Sequence, residues 1–565
     1  MLKHSKFLLV VALRLQALLI GIILLAAVLR FFQISSTPPA LNWDEISHGY
    51  NAYSILMTGK DEWGVSWPTI FRAYGDYKLP VYIYFTAISE ALFGLNEFSV
   101  RLPSALAGVL TVVFTYLLAS RLFTKQVGLV SAFLMAVVPW ALFLSRAGLE
   151  ANLALALFSA GIYFLFQPPR ASFILAALFL SLSMWTYNSY RVFVPLLALY
   201  LYLIHRNSLG FAHLKKHLPA IAIFFLLLSG VIWQMANPEG QARYNLVAIL
   251  DTGAINQIEN LRNNSDLGPF TSRILYNKAT YFGFNFTKNY LAHFNPQFLF
   301  IDGGTHYQFS VPGTSLLYLV NIPFFYLGVL LLLKERSKTN LFLLGWLLLA
   351  PVPSALTREA PHVLRSITLL PILLIITAFG FWKFIFQIKL SQSVKKYISG
   401  VYFMILIVSL GIYLINYFGS YVKNYSWAWQ YGYKETADYV RNNYNKYDQI
   451  IVTKKYGEPH EFFLFYWPWD PDKYRSDPKL VRYTQSDWYW VDSFDKFIFV
   501  NDWEIPKNEN KGWKTEQDKP IDVTAKTLLI TSPNTYPQGW KKLETVNFLD
   551  NKPAFDILEN NVANN

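Results

Sequence analysis

Apolar runs without a single charge, each bounded by polar or charged links, recur along this chain and constrain its fold more than any other feature. Leu15 to Val28, Val127 to Leu144, Ala220 to Ile232 and Leu341 to Leu349 are the clearest. A segment of about 20 such residues crosses the ~30 Å hydrocarbon layer as a helix, because lipid offers the backbone no hydrogen-bond partner. With 53% hydrophobic, 17% aromatic and only 15% charged residues in 565, these runs cannot all hide in one water-soluble core.

The pattern predicts spans near 14–34, 100–122, 127–145, 150–167, 171–188, 191–205, 218–236, 312–333, 340–356, 365–386 and 397–418, about eleven in all. The stretch from Leu79 to Gly94 is short and contains Glu90, so it is expected to lie in the membrane interface. Basic residues fall in alternate links: Lys3, Lys6 and Arg14, then Lys125 and Arg170, then Arg206, Lys215 and Lys216, then Lys334, Arg336 and Lys338, then Lys389, Lys395 and Lys396. The positive-inside tendency puts that side in the cytoplasm of a plasma (inner) membrane protein. Arg30 directly after the first run favours a retained anchor over a cleaved signal. The formal charge of +13 is therefore topological, since no basic stripe suggests nucleic acid. The absence of cysteine excludes disulfides and thiolate metal sites.

Three segments are then extracytoplasmic: a first loop, 35–99, a second, 237–311, and a tail, 419–565. Residues 1–418 form the membrane domain. In the tail a helical stretch from Glu435 to Asn443 precedes the strand-like runs QIIVT, EFFLFYW, KFIFV and TLLIT, which predicts a small α/β domain. Trp467, Trp469, Trp488 and Trp490 read as core or interface filler, or as platforms for sugar faces, and Asp470 and Asp472 as a solvated turn.

Asp44 and Glu45 follow the first span by a few residues, behind a Pro38-Pro39 turn and Trp43. On an ordinary loop adjacent acids are solvated surface. Held against an apolar surface, a carboxylate gains proton affinity and suits a general base or a metal ligand. Lys78, at the start of the interfacial segment, is a snorkelling lysine or a clamp for a headgroup phosphate. Arg146 and Glu150 pair across one helical turn, or face a wet cavity from a very short link. Arg191, and Arg358, Glu359, His362 and Arg365 in TREAPHVLRS, repeat the pattern at external ends of spans. A shared anionic ligand would account for arginines on the side the positive-inside tendency disfavours.

In this order and topology the chain resembles the C-type-fold membrane glycosyltransferases, in particular bacterial relatives of the protein O-mannosyltransferases and of the aminoarabinose transferases. The resemblance rests on Asp44-Glu45, the Lys78-Leu79-Pro80 step, Arg101-Leu-Pro, Ser145-Arg146 with Glu150, Tyr187 with Tyr190-Arg191, and FNPQFLFIDGGTHYQFSVPG running into a span. It implies transfer of a sugar from a polyprenyl-phosphate carrier, with inversion, to a protein, lipid or glycan acceptor. Asp44 would be the general base; Glu45 would orient it or join it in holding a divalent metal. Lys78 would meet the carrier phosphate, with Arg146, Arg191, Arg358, His362 and Arg365 as further candidates. Glu150 takes the place of a second acid, and His306 falls in a loop over the cavity. Lys-Leu-Pro stands where many relatives have two prolines. The tryptophan-tryptophan-aspartate signature of oligosaccharyltransferases is absent, which argues against block transfer of an oligosaccharide.

Neither a P-loop nor a dinucleotide fingerprint is present, so no nucleotide cofactor is expected. Two other classes stay open. A transporter or flippase of lipid-linked sugars would also want arginines and many spans, although inverted repeats and Gly/Pro-broken helices in corresponding halves are missing. A polyprenyl-diphosphate ligase or polymerase shares the arginines without needing the Asp44-Glu45 pair.

Overall fold

The protein is described by a computed structural model covering residues 2–168, 170–206, 217–387, 391–485, 488–507 and 512–561. Lys215, Lys216 and Lys389, which entered the topology argument, lie outside the described residues. The chain divides into two compact units, Met1–Phe32 with Ser104–Leu414, and Gln33–Pro103 with Ile415–Asn565. The first loop and the tail thus fold as one body, which the sequence reading had kept apart.

The first unit is helical. Each of the eleven predicted stretches contains helix, yet among the described residues only five helices are long and apolar enough to cross a membrane alone. They are Ala12–Phe31, Glu97–Leu122, Leu218–Ala236, Ile367–Phe386 and Gln392–Asn424, of which the second begins before this unit and the last runs on past it. A sixth arises if Lys125–Val137 and Pro139–Arg146 count as one span bent by 55°. The bend has a cause: Pro139 lacks the N–H that would continue the first helix and instead opens the second. The count of eleven is thus not confirmed, because several segments are helices of 10–17 residues or are cut by prolines. The protein is nonetheless a multi-pass membrane protein.

Its most buried span, Ile367–Phe386, packs on the helix Ile322–Lys334 at glycine distance. A Cβ on Gly380 would lie 2.0 Å from the Phe324 carbonyl oxygen, and one on Gly328 2.3 Å from that of Ile376. Small residues let the two backbones meet, the usual source of helix cohesion where lipid removes the hydrophobic drive. The predicted second large external loop, 237–311, carries four α-helices, Pro238–Val247, Thr252–Asn263, Pro269–Leu275 and Lys278–Ala292, and a π-helical turn, Gln297–Ile301.

The second unit is built on a seven-stranded mixed sheet. With β1 (Phe71–Ala73) and β2 (Asp76–Lys78) forming a separate ribbon, its strands are β3 (Gln449–Thr453), β4 (Val481–Gln485), β5 (Trp488–Phe494), β6 (Phe497–Val500), β9 (Thr527–Thr531), β10 (Lys541–Asn547) and β11 (Pro553–Glu559); β7 (Trp513–Lys514) and β8 (Pro520–Ile521) pair apart. The order is β10-β11-β9-β3-β6-β5-β4, with β3 parallel to both its neighbours. Its period of two explains the layering: Ile450 and Val452 face one core, Ile451 the other. EFFLFYW departs from expectation, since Pro459–Tyr466 is a helix. Pro459 sets its first turn, and Phe462, Phe463, Leu464 and Phe465 are all buried, a continuous apolar run whose periodicity cannot separate helix from strand. The same core takes Leu41, Ile46, Tyr50 and Tyr74 from the first loop. Helix Pro80–Phe93 exposes Phe85, Ile88, Leu92 and Phe93 on one flank, as an interfacial helix would.

Candidate functional site

Asn42 caps the helix Trp43–Thr58 in the second unit. Its Oδ1 accepts the Glu45 N–H at 2.9 Å, and its own N–H donates to Glu45 Oε2 at 3.1 Å. Arg101 closes on the same carboxylate, with Nε on Oε1 at 2.8 Å and Nη2 on Oε2 at 3.1 Å. Its remaining bonds hold the carbonyl oxygens of Ile34, Pro38 and Ala40 at 2.9, 2.8 and 2.5 Å. Both side chains are 0% exposed. Glu45 therefore fixes the start of the helix and the stretch of chain leading into it, its oxygens accepting from Arg101 and from the Asn42 N–H.

Asp44 precedes Glu45 by one residue, which on a helix turns the side chain by about 100°. It emerges 30% exposed, with Lys78 Nζ at 2.6 Å. Lys78 closes the ribbon opposite Phe71, is itself 8% exposed, and has Asp76 Oδ2 at 3.9 Å. The backbone around Asp44 is held by aromatic packing. Trp43 lies 6.3 Å from Tyr74 and 6.1 Å from Trp488, which stacks on Tyr74 at 5.6 Å. Gly457 makes room for Trp43: it has φ +102°, and a Cβ there would lie 2.6 Å from the indole. Trp488 is thus committed to packing within the unit.

In the first unit a second group of charges gathers. Arg365 donates to Thr357 Oγ1 at 3.0 Å and Glu359 Oε2 at 2.9 Å, and its N–H reaches His362 Nδ1 at 3.3 Å. Burial, then the charges of Arg365, His306 and Arg243, hold His362 down to about 2, so its ring stays neutral. Phe309 links the two histidines, with ring centres 4.4 Å from His306 and 5.2 Å from His362. Tyr187 feels Glu150, Arg243 and Arg365 together. Glu150, His306, His362 and Arg365 therefore belong to one electrostatic neighbourhood.

Arg243 joins them unforeseen, because nothing in its spacing ties a helix of the second loop to TREAPHVLRS. Three other predicted arginines bond to the protein itself. Arg146 donates to the carbonyl oxygens of Leu29, Arg30 and Phe32 at 2.7, 3.2 and 2.7 Å. Arg191 donates to Met184 O at 3.2 Å and to Gln234 Oε1. Arg358 pairs with Asp251 at 2.5 Å, and its N–H reaches Val247 O at 2.9 Å, which pins the second loop.

The family model described as dolichyl-phosphate-mannose-protein mannosyltransferase matches residues 78–233. "Putative mannosyltransferase YkcB" of Bacillus subtilis is 41% identical over 69 residues, 12% of this chain and only about a tenth of that protein's length. The fold is that of ArnT from Cupriavidus metallidurans, solved with undecaprenyl phosphate: TM-score 0.52 at 12% identity, covering 97% of this chain and 99% of that one. It also matches the Archaeoglobus fulgidus oligosaccharyltransferase in its apo form, with TM-score 0.50 at 13% identity over 80% of this chain and 63% of that one. The chain thus resembles the C-type-fold membrane glycosyltransferases in sequence over part of its length and in fold over nearly all of it.

Proposed function

We propose that the protein is an inverting glycosyltransferase that moves a sugar from a polyprenyl-phosphate carrier to a protein, lipid or glycan acceptor on the extracytoplasmic side of the plasma membrane. The observation that carries this reading is Asp44: of two adjacent acids, one is sealed against Arg101 and the other is part-exposed, with the Lys78 ammonium 2.6 Å away. In the reaction the acceptor hydroxyl attacks the anomeric carbon opposite the phosphate, the bond from that carbon to the phosphate oxygen breaks with its electron pair, and Asp44 takes the hydroxyl proton. Lys78, 2.6 Å from Asp44, would neutralise the leaving phosphate and, in turning to it, release the carboxylate for the acceptor. Within the first unit, Arg365 and Arg243, with His306, His362 and Glu150 around them, form a basic group suited to an anionic ligand. Arg146, Arg191 and Arg358 act as braces, and Glu45 as the support of the helix that carries the base. A divalent ion at Asp44 would need ligands other than Glu45.

The test uses the full chain in lipid nanodiscs supplied with polyprenyl-phosphate hexoses and pentoses. Free polyprenyl phosphate and a glycosylated product should appear together, and neither should form with Asp44→Asn. Carrier movement across a proteoliposome without bond cleavage would replace this reading by the transporter one. Reporter fusions to the tail should be active only outside the cytoplasm; cytoplasmic activity would overturn the orientation.

A further inference from the structure

Away from Asp44, the second unit buries more acid than it has base to match. Glu62, in the turn after the helix Trp43–Thr58, is 0% exposed, as is Glu461, while His460 is 1% exposed. One donor atom from each of the three lies within 4.8 Å of the other two. His460 Nε2 has no hydrogen-bond partner and stands 3.9 Å from Glu62 Oε1. On the other side of the ring, Nδ1 faces Glu458 Oε2 at 3.6 Å, and that oxygen is likewise buried without a partner. Glu458 Oε1 accepts from the Trp488 indole N–H.

The surrounding donors leave the centre under-served. Arg482 reaches Glu62 Oε1 at 3.4 Å and gives a better bond, 3.1 Å, to the Glu62 carbonyl oxygen. The Tyr489 hydroxyl sits 3.4 Å from Glu62 Oε2 and 3.3 Å from Glu461 Oε1, both long. Lys454 is spent on Asp492 at 2.9 Å and on the Tyr483 hydroxyl at 2.8 Å. Three carboxyl groups thus surround a histidine with one guanidinium touching them, and a dication is what balances three carboxylates against one arginine. Buried charge without such compensation is among the most costly arrangements a protein can hold.

We propose that Glu62, His460 and Glu461 bind a divalent transition-metal ion, zinc by the nature of the donors, which ties the first loop to the sheet domain within this unit. One imidazole nitrogen and two carboxylate oxygens form a zinc donor set with a fourth position open. The donor atoms need to close from 4.8 Å to about 3.3–3.5 Å apart to give bonds near 2.1 Å, a side-chain adjustment. Glu458 on Nδ1 completes the carboxylate–histidine–metal arrangement that orients the ring and leaves Nε2 for the ion. The ion acts on the loop through Tyr74, whose hydroxyl lies 2.7 Å from Glu461 Oε2 and 2.8 Å from the carbonyl oxygen of Trp43, the neighbour of Asp44. This site is independent of the glycosyl-transfer reading and stands or falls by its own measurement.

Full-length protein in detergent, stripped with a chelator and dialysed, is titrated with zinc alone and its metal content read by mass spectrometry. One zinc per chain should return and the melting temperature should rise, while His460→Gln and Glu62→Gln should weaken binding at least tenfold. Cobalt(II) in place of zinc should give the visible absorption of a four-coordinate site in the wild type and not in either variant. Wild-type protein that takes up no zinc above the variants, or variants that bind it equally, overturns the proposal and leaves a cluster balanced by shared protons. Should a variant fail to fold, the wild-type stoichiometry and cobalt spectrum decide alone.

Discussion

Two groups of carboxylates in the second unit, both including a residue of the first loop, have opposite surroundings. Asp44 is part-exposed, with the Lys78 ammonium 2.6 Å away, whereas Glu62 and Glu461 are sealed among aromatic rings and share the long bonds of one Tyr489 hydroxyl. A carboxylate at a rim exchanges partners at little cost, because water replaces whatever leaves; a sealed one is bound to whatever compensates it. Exposure therefore separates a group able to turn over from groups able only to hold. Glu45 makes the contrast sharpest, being adjacent to Asp44 in sequence yet on the sealed side of the divide.

The largest expected effect falls on Asp44. Asp44→Asn keeps shape and hydrogen bonding but cannot take a proton, so turnover should fall by about 10²–10⁴-fold with an unchanged melting temperature. Loss of folding with no selective loss of rate would place Asp44 among the holding groups and erase the distinction. Glu45→Gln should do the reverse: it leaves Arg101 buried without its counter-charge and should cost about 3–5 kcal/mol of stability, measured by denaturant unfolding. The several carbonyl oxygens on Arg101 favour the lower end of that range.

A smaller effect is expected at Arg365, whose replacement by Ala should weaken carrier-lipid binding by about 1.5–3 kcal/mol, read by titration with polyprenyl phosphate. Arg358→Ala serves as the contrasting brace and should leave that affinity nearly untouched. The smallest concerns Glu90, buried in the interfacial helix with neither oxygen partnered. Burial holds its carboxyl well above the ordinary value of 4.5, so the native state prefers it neutral. The stabilising contribution is complete below that ordinary value and is lost as pH rises through the raised one, at most about 1.4 kcal/mol per pH unit. Glu90→Gln should therefore match the wild type in stability at about pH 4 and exceed it at about pH 8.

Much of the molecule was legible before any coordinates. Helices within every predicted span and the mixed domain at the end follow from runs, charges and periodicity, which are local properties. The strands β3, β6 and β9 were readable for the same reason, since buried β-branched and aromatic runs between turn residues leave few alternatives. EFFLFYW was misread because a run buried on every side carries no period. The count of independent spans failed where proline and short length break a helix that composition alone would call continuous.

By itself the sequence determined that this chain lives in a membrane, and that Asp44 and Glu45 closely follow its first apolar run with Lys78 farther along, because hydrophobicity and charge act on each segment separately. Only the tertiary structure decided which acid was buried and which exposed. It gave Glu45 to Arg101 and Lys78 to Asp44, turned Arg146 and Arg191 into braces, drew Arg243 toward Arg365, and set Glu62 against His460 and Glu461 from the far end of the chain. The physical reason is that a charge takes its meaning from burial and from its nearest partners. Both are fixed by contacts between residues hundreds of positions apart, such as Tyr74 and Glu461, and no local pattern records them.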